Sequence, residues 1–150
     1  MNVQSAPPNS HRHQFRVLYG DTDSGGVVYY GNYLRFFESG RTEMLRAHGT
    51  SYRNLEEEGY IMPVVECHSR YKAPARYDDL LVVETTVTEV KKMSCRFNYR
   101  ISRVGDGRLL VKGSTLHACI NRDGRLTPFP DYFLEMLKEI SLEREQLSSP

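Results

Sequence analysis

Most features that mark an exported or membrane-bound protein are missing from this chain. Its three cysteines, Cys67, Cys95 and Cys119, are an odd number with no CxxC spacing, which suggests neither a disulfide framework nor a cysteine-based zinc site. No segment approaches the roughly eighteen consecutive apolar residues needed to cross a bilayer. The first ten residues hold no basic stretch followed by an apolar one, so neither membrane insertion nor export is expected. A reducing cytoplasm fits these absences. Charge of one sign is lacking too: 20 Lys and Arg stand against 19 Asp and Glu, a balance of +1. No global field therefore draws in nucleic acid or anionic lipid, and any anion site has to be a local patch.

What is present suits one soluble domain. A chain of 150 residues with 39% hydrophobic and 26% charged residues can bury about two-thirds of its unfolded surface without a covalent staple. Residues 1–12, with Pro7, Pro8, Asn9 and Ser10, have no periodicity and read as a flexible N-terminal segment, and residues 148–150 as a frayed tail. Residues 13–147 form the domain. Residues 14–19 alternate as a strand does, and a glycine-rich loop follows. Tyr33, Phe36, Phe37, Met44 and Leu45 then recur at helical spacing, predicting a long helix over residues 30–48 that stops at Gly49. A short helix over 52–58 precedes strands over 61–71, 80–90, 94–103 and 109–121, and a last helix covers 131–147. Four consecutive strands joined by turns make an antiparallel sheet, against which the long helix has to bury its apolar face. The expected class is α+β, a curved sheet wrapped around one helix.

The chemistry concentrates in the loop before that helix. Asp21 and Asp23 lie among Gly20, Gly25 and Gly26 and lead straight into the helix N-terminus. Free N–H groups and the positive end of the helix dipole point there, which suits a developing oxyanion beside a carboxylate that attacks or activates water. Gly25 and Gly26 leave room for a substrate carbonyl to approach the backbone. A lone aspartate before a helix is more often an N-cap or turn residue.

The run Asp21-Thr22-Asp23-Ser24-Gly25-Gly26-Val27-Val28-Tyr29, followed by Asn32-Tyr33-Leu34 and Glu38-Ser39-Gly40-Arg41-Thr42-Glu43, resembles the signature of the YbgC-like and 4-hydroxybenzoyl-CoA thioesterases. With Tyr77-Asp78-Asp79-Leu80 and the later strands, the resemblance spans about residues 14–140. It implies a hot-dog fold, active sites at a dimer interface with dimers commonly paired into tetramers, and hydrolysis of acyl-CoA without metal or other cofactor. It also implies that Asp23 is the catalytic aspartate, that the Tyr30 backbone N–H polarises the thioester carbonyl, and that Tyr19 lies beside the acid. Tyr30 stands where many YbgC-like enzymes place a histidine, so no imidazole role carries over. Asp21 is then a structural residue of the loop.

CoA brings phosphates, and Lys91-Lys92 at a turn between strands matches the basic pair that meets its nucleotide end in the hydroxybenzoyl-CoA enzymes. By itself a lysine pair at a hairpin is usually a solvated turn. Arg70, Lys72 and Arg76 make a second basic cluster with edge-strand protection as its plain explanation. His11, His13, His68 and His117 do not amount to a metal site, and His117 with Cys119 offers a Cys–His pair without an orienting third group. The expected substrate is a short-to-medium aliphatic or aromatic acyl-CoA. A hydratase of the same fold is the nearest enzymatic rival, although such enzymes rely on a His that this loop lacks. A non-catalytic acyl-thioester-binding or assembly protein is the rival from another class.

Overall fold

The computed structural model describes residues 9–141. The elements are β1 His11–Arg16, α1 Tyr33–Ala47, α2 Tyr52–Glu57, β2 Val64–Tyr71, β3 Leu80–Lys91, β4 Ser94–Arg103, β5 Leu109–Ala118 and α3 Asp131–Ile140. Residues 1–8 and 142–150 lie outside the described residues, and α3, expected to reach 147, ends at Ile140, because Ser141 is extended and bridges Val87. His11 and Arg12 are not part of a flexible segment: β1 starts at His11, which pairs with Thr85. Pairing with β3 supplies the regularity that local sequence does not show.

The five strands form one antiparallel sheet in the order β1-β3-β4-β5-β2. β3, β4 and β5 are joined by hairpins, as the turn signals predict. The connection after β2 differs. Residues 72–79 cross the sheet, because β2 pairs with β5 whereas β3 pairs with β1 and β4; the expected turn at 76–79, with Asp79 N–H donating to Arg76 O at 3.1 Å, comes at the end of this crossing and does not join a hairpin. Backbone bonds hold the crossing down: the N–H groups of Lys72 and Ala73 donate to Leu110 O at 2.8 and 3.2 Å, and Val17 N–H donates to Asp79 O at 2.9 Å. β2 is therefore an edge strand, and all but one of its residues are exposed.

α1 lies across one face of this sheet. Tyr33, Phe36, Phe37, Gly40, Met44 and Leu45 are its buried residues, and Phe37 stacks on Tyr99 of β4 with centroids 4.4 Å apart. Each such fully buried side chain contributes about 1.5–3 kcal/mol. Two glycines permit the close approach. A Cβ on Gly40 would fall 2.6 Å from Thr85 Oγ1, and one on Gly113 would overlap the Phe37 ring. The helix ends at Gly49, whose φ of +83° favours glycine. α3 caps the remaining core with Phe133, Leu137 and Ile140.

Candidate active site

The loop between β1 and α1 is built on Asp21, not only on its glycines. Asp21 is buried; its Oδ2 accepts the Leu18 N–H at 2.8 Å and its Oδ1 pairs with Arg35 of α1. Its carbonyl takes Tyr29 N–H at 3.0 Å and Asn32 Nδ2 at 2.9 Å. One aspartate thus ties the start of the loop, its end and the first turns of the helix together, the structural role that the resemblance implies.

Asp23 sits in the opposite environment. It is exposed at the tip of the loop, where its N–H donates to Val27 O at 2.9 Å and its carbonyl accepts Gly26 N–H at 3.0 Å. Its Oδ1 accepts the Gly25 N–H at 2.8 Å, an Asx-type turn that fixes the carboxylate without using up its lone pairs. Gly26 has φ of +80°, and a Cβ on Gly25 would stand 3.1 Å from Asp23 Oδ1. Gly26 is accordingly needed for the turn that carries the acid, and a side chain at Gly25 would press on the carboxylate itself.

Four residues past Gly26, a 3-10 turn over Tyr30–Asn32 precedes α1. The first hydrogen bond of that turn runs from Asn32 N–H to Tyr29 O at 2.9 Å, so the Tyr30 N–H lies ahead of it, among the donors that a helix start leaves open. The Tyr30 carbonyl receives the Tyr71 hydroxyl at 3.1 Å. Rings of Tyr30 and Tyr33 both pack on Tyr71, with centroids at 6.2 and 5.5 Å. Together with Val28, Lys72, Ala73 and Pro74 these rings line a cleft of about 300 Å³. Tyr71 and Tyr33 are members of this cleft that residue patterns do not single out, since one is read only as the end of a strand and the other as part of the apolar face of the helix. The Tyr33 hydroxyl is pushed up from its ordinary pKa by burial and so stays a neutral phenol.

The remaining site residues fall in three places. Tyr19 is exposed; its ring packs edge-on against Tyr77 at 5.7 Å, and its carbonyl holds the Thr22 N–H and hydroxyl, next to Asp23. Lys72 lines the cleft, and Arg76 forms a β-bridge with Val27 of the loop, so two of the three residues of the second basic cluster flank the site. Lys91 and Lys92 are exposed at the other end of β3. β1 enters the loop beside Leu80, and the strand from there to Lys91 covers roughly 35 Å. One protomer therefore does not bring Asp23 and the lysine pair together. His117 is no partner for Cys119. Its ring nitrogens lie 3.1 Å from Met62 O and 2.8 Å from Thr115 Oγ1, and burial pushes its pKa down to about 4 and the Cys119 thiol up to about 11. Among the described residues, no three His, Cys, Asp or Glu side chains converge as metal ligands, and no helix is long and apolar enough to cross a membrane.

A curved antiparallel sheet around one long helix, with an acid-bearing loop at the start of that helix, defines the hot-dog class of thioester hydrolases. The family model of the thioesterase-like superfamily matches residues 17–137, and the chain belongs to that family. It is 41% identical over 106 residues to the acyl-CoA thioester hydrolase YbgC of Escherichia coli O157:H7, a match covering 71% of this chain and 78% of that protein. Among solved structures it is similar to the DHNA-CoA thioesterase of Staphylococcus aureus, with a TM-score of 0.84, 30% identity, and coverage of 91% and 95% of the two chains. It is also similar to an aspartate-to-asparagine variant of 4-hydroxybenzoyl CoA thioesterase complexed with 4-hydroxybenzoyl CoA, with a TM-score of 0.78, 26% identity, and coverage of 86% and 99%.

Proposed function

We propose that the chain hydrolyses acyl-CoA thioesters, with Asp23 as the catalytic carboxylate and the Tyr30 N–H as the oxyanion donor. The observation that carries this reading is the Asx-type turn of Asp23 held next to an open helix start and an aromatic cleft. A thioester carbonyl polarised by the Tyr30 N–H would lie within reach of that turn. Asp23 then either attacks the carbonyl to give an anhydride, releasing the CoA thiolate, or takes a proton from the attacking water. Since a thiolate leaves readily, no general acid is required. The cleft accepts an aromatic or a short-to-medium aliphatic acyl group.

The site is completed by a second copy of the chain. Leu18, Tyr19, Tyr29, Tyr30, Leu34, Val64, Val65 and Tyr71 are all exposed, in the loop, at the start of α1 and along the β2 edge, apolar side chains of the kind that interfaces cover. Pairing of β2 edges about a two-fold axis would cover it and allow Lys91 and Lys92 of another protomer to meet the phosphates of CoA. Dimers of this kind, or tetramers built from them, are the proposed active form.

Thiol release from a panel of aromatic and aliphatic acyl-CoAs, measured for the native protein and Asp23→Asn, tests the proposal. Native turnover that falls about 10²-fold or more in the variant supports it. An unaffected variant removes Asp23 from catalysis, and a native protein inert toward every CoA ester refutes the choice of thiol carrier.

A further inference from the structure

A second cavity, of about 480 Å³, opens between α1 and α2 and is lined by Arg41, Tyr52, Thr42, Arg46 and Met62, with Glu38, Glu56 and Arg53 also contributing. Its α1 lining starts at Glu38, more than one turn after the helix start at Tyr33, and none of its lining residues belongs to the cleft beside Asp23. Two donors on its lining residues lack acceptors. The Nε of Arg41 and the hydroxyl of Tyr52 are buried, and neither has a hydrogen-bond partner. The guanidinium lies 5.9 Å from the Tyr52 ring centroid, and its Nη1 reaches only the neutral Tyr99 hydroxyl, at 3.4 Å. Arg46 and Arg53, by contrast, are paired with Glu43 and Glu57.

A buried guanidinium with no carboxylate and a buried phenol with no acceptor each cost free energy unless something from outside completes them. We propose that this cavity is a binding site for a small organic carboxylate, with Arg41 Nε and the Tyr52 hydroxyl as its donors. With Arg46 and Arg53 already paired, Arg41 is the guanidinium left for a ligand. Its Nε and the Tyr52 hydroxyl offer two donors to the two oxygens of one carboxylate, whereas a dianionic phosphate would meet Glu38 and Glu56. Met62 and the face of Tyr52 supply apolar wall for the body of the acid. Burial pushes the Tyr52 hydroxyl far up from its ordinary pKa, which keeps it a donor at all working pH values. This site does not rest on the thioesterase reading, although a carboxylic acid is what thioester hydrolysis releases.

Calorimetric titration of the full-length protein with benzoate and with hexanoate, and with inorganic phosphate for comparison, tests the proposal. Saturable binding of at least one carboxylate, one per chain, is expected. It weakens about tenfold or more in Tyr52→Phe, is lost in Arg41→Gln, and persists in Asp23→Asn. Should Arg41→Gln not fold, Tyr52→Phe decides the question, since it retains the ring and its packing. Absence of saturable binding overturns the site, as does binding that Tyr52→Phe leaves unchanged or that phosphate matches. Binding abolished by Asp23→Asn would place the acid in the catalytic cleft instead. If carboxylates do not bind and Tyr52→Phe shifts the sedimentation equilibrium between oligomer and monomer, the acceptor belongs to a second copy of the chain, and the free-carboxylate site is refuted.

Discussion

Two aspartates one residue apart have opposite fates, and burial separates them. Asp21 satisfies a backbone N–H and a guanidinium from a buried position, while Asp23 is exposed on a turn that its own carboxylate closes. Replacing Asp21 by alanine leaves the Leu18 N–H without its acceptor and Arg35 without its partner. The expected cost is about 1–3 kcal/mol, a fall in Tm of roughly 3–10 °C for a domain of this size. Asp23→Asn keeps an oxygen for the Gly25 N–H, so its Tm stays within about 2 °C of native. Thermal melts of the two variants side by side check the contrast. If the stability loss belongs to Asp23, the assignment of roles is reversed. From residue chemistry alone the two acids are equivalent, and the resemblance chose Asp23; only the fold shows why Asp21 is unavailable.

Elements were legible where their pattern is local. The hairpins of β3, β4 and β5 follow turn signals, and α1 follows its apolar spacing to a glycine stop. Two features were not. β1 begins earlier than its alternation, and β2 pairs with β5 across the sheet; strand partnership is a long-range property that local patterns do not encode. The packing of α1 makes a graded prediction. Gly40→Ala meets Thr85 and Val83 side chains but gains about 1 kcal/mol of helix propensity, whereas Gly113→Ala runs into the Phe37 ring and the His68 carbonyl with nothing to offset it. The β5 variant is expected to be destabilised by more, about 2 kcal/mol or above, in denaturant unfolding. β5 also carries a pH dependence. His117 has a folded pKa near 4 against about 6.5 unfolded. The unfolded chain binds the extra proton between these values, so the contribution is fully present above pH 6.5 and is lost as pH falls toward 4. It amounts to about 3 kcal/mol. Urea midpoints from pH 7.5 to 4 should fall, and less steeply in a folded His117→Gln variant.

At the scale of the whole molecule, the chain places its acid and its lysine pair at opposite ends of β3, and this separation is itself informative. The lysines were legible in the sequence as a basic pair, but their distance from Asp23 was not, because it depends on which end of the sheet each turn occupies. If Lys91 and Lys92 serve the Asp23 of another protomer, Asp23→Asn and a Lys91→Ala/Lys92→Ala variant complement each other. Each parent assembly lacks a complete site: the first turns over about 10²-fold or more below native, and the second has a raised KM. Random exchange of subunits in equal amounts creates complete sites wherever an intact acid meets intact lysines, about one site in four in a dimer or a tetramer. kcat/KM at low substrate should rise after mixing toward about a quarter of the native value. When both groups serve one chain's own site, mixing makes no complete site, and the rate stays at the average of the two parents. Repeating the exchange after Val65→Lys, which puts a charge on the exposed edge of β2, asks whether that edge carries the assembly. Loss of both complementation and oligomer on sedimentation locates the shared site at the β2 seam, and complementation that survives the charge moves the interface elsewhere.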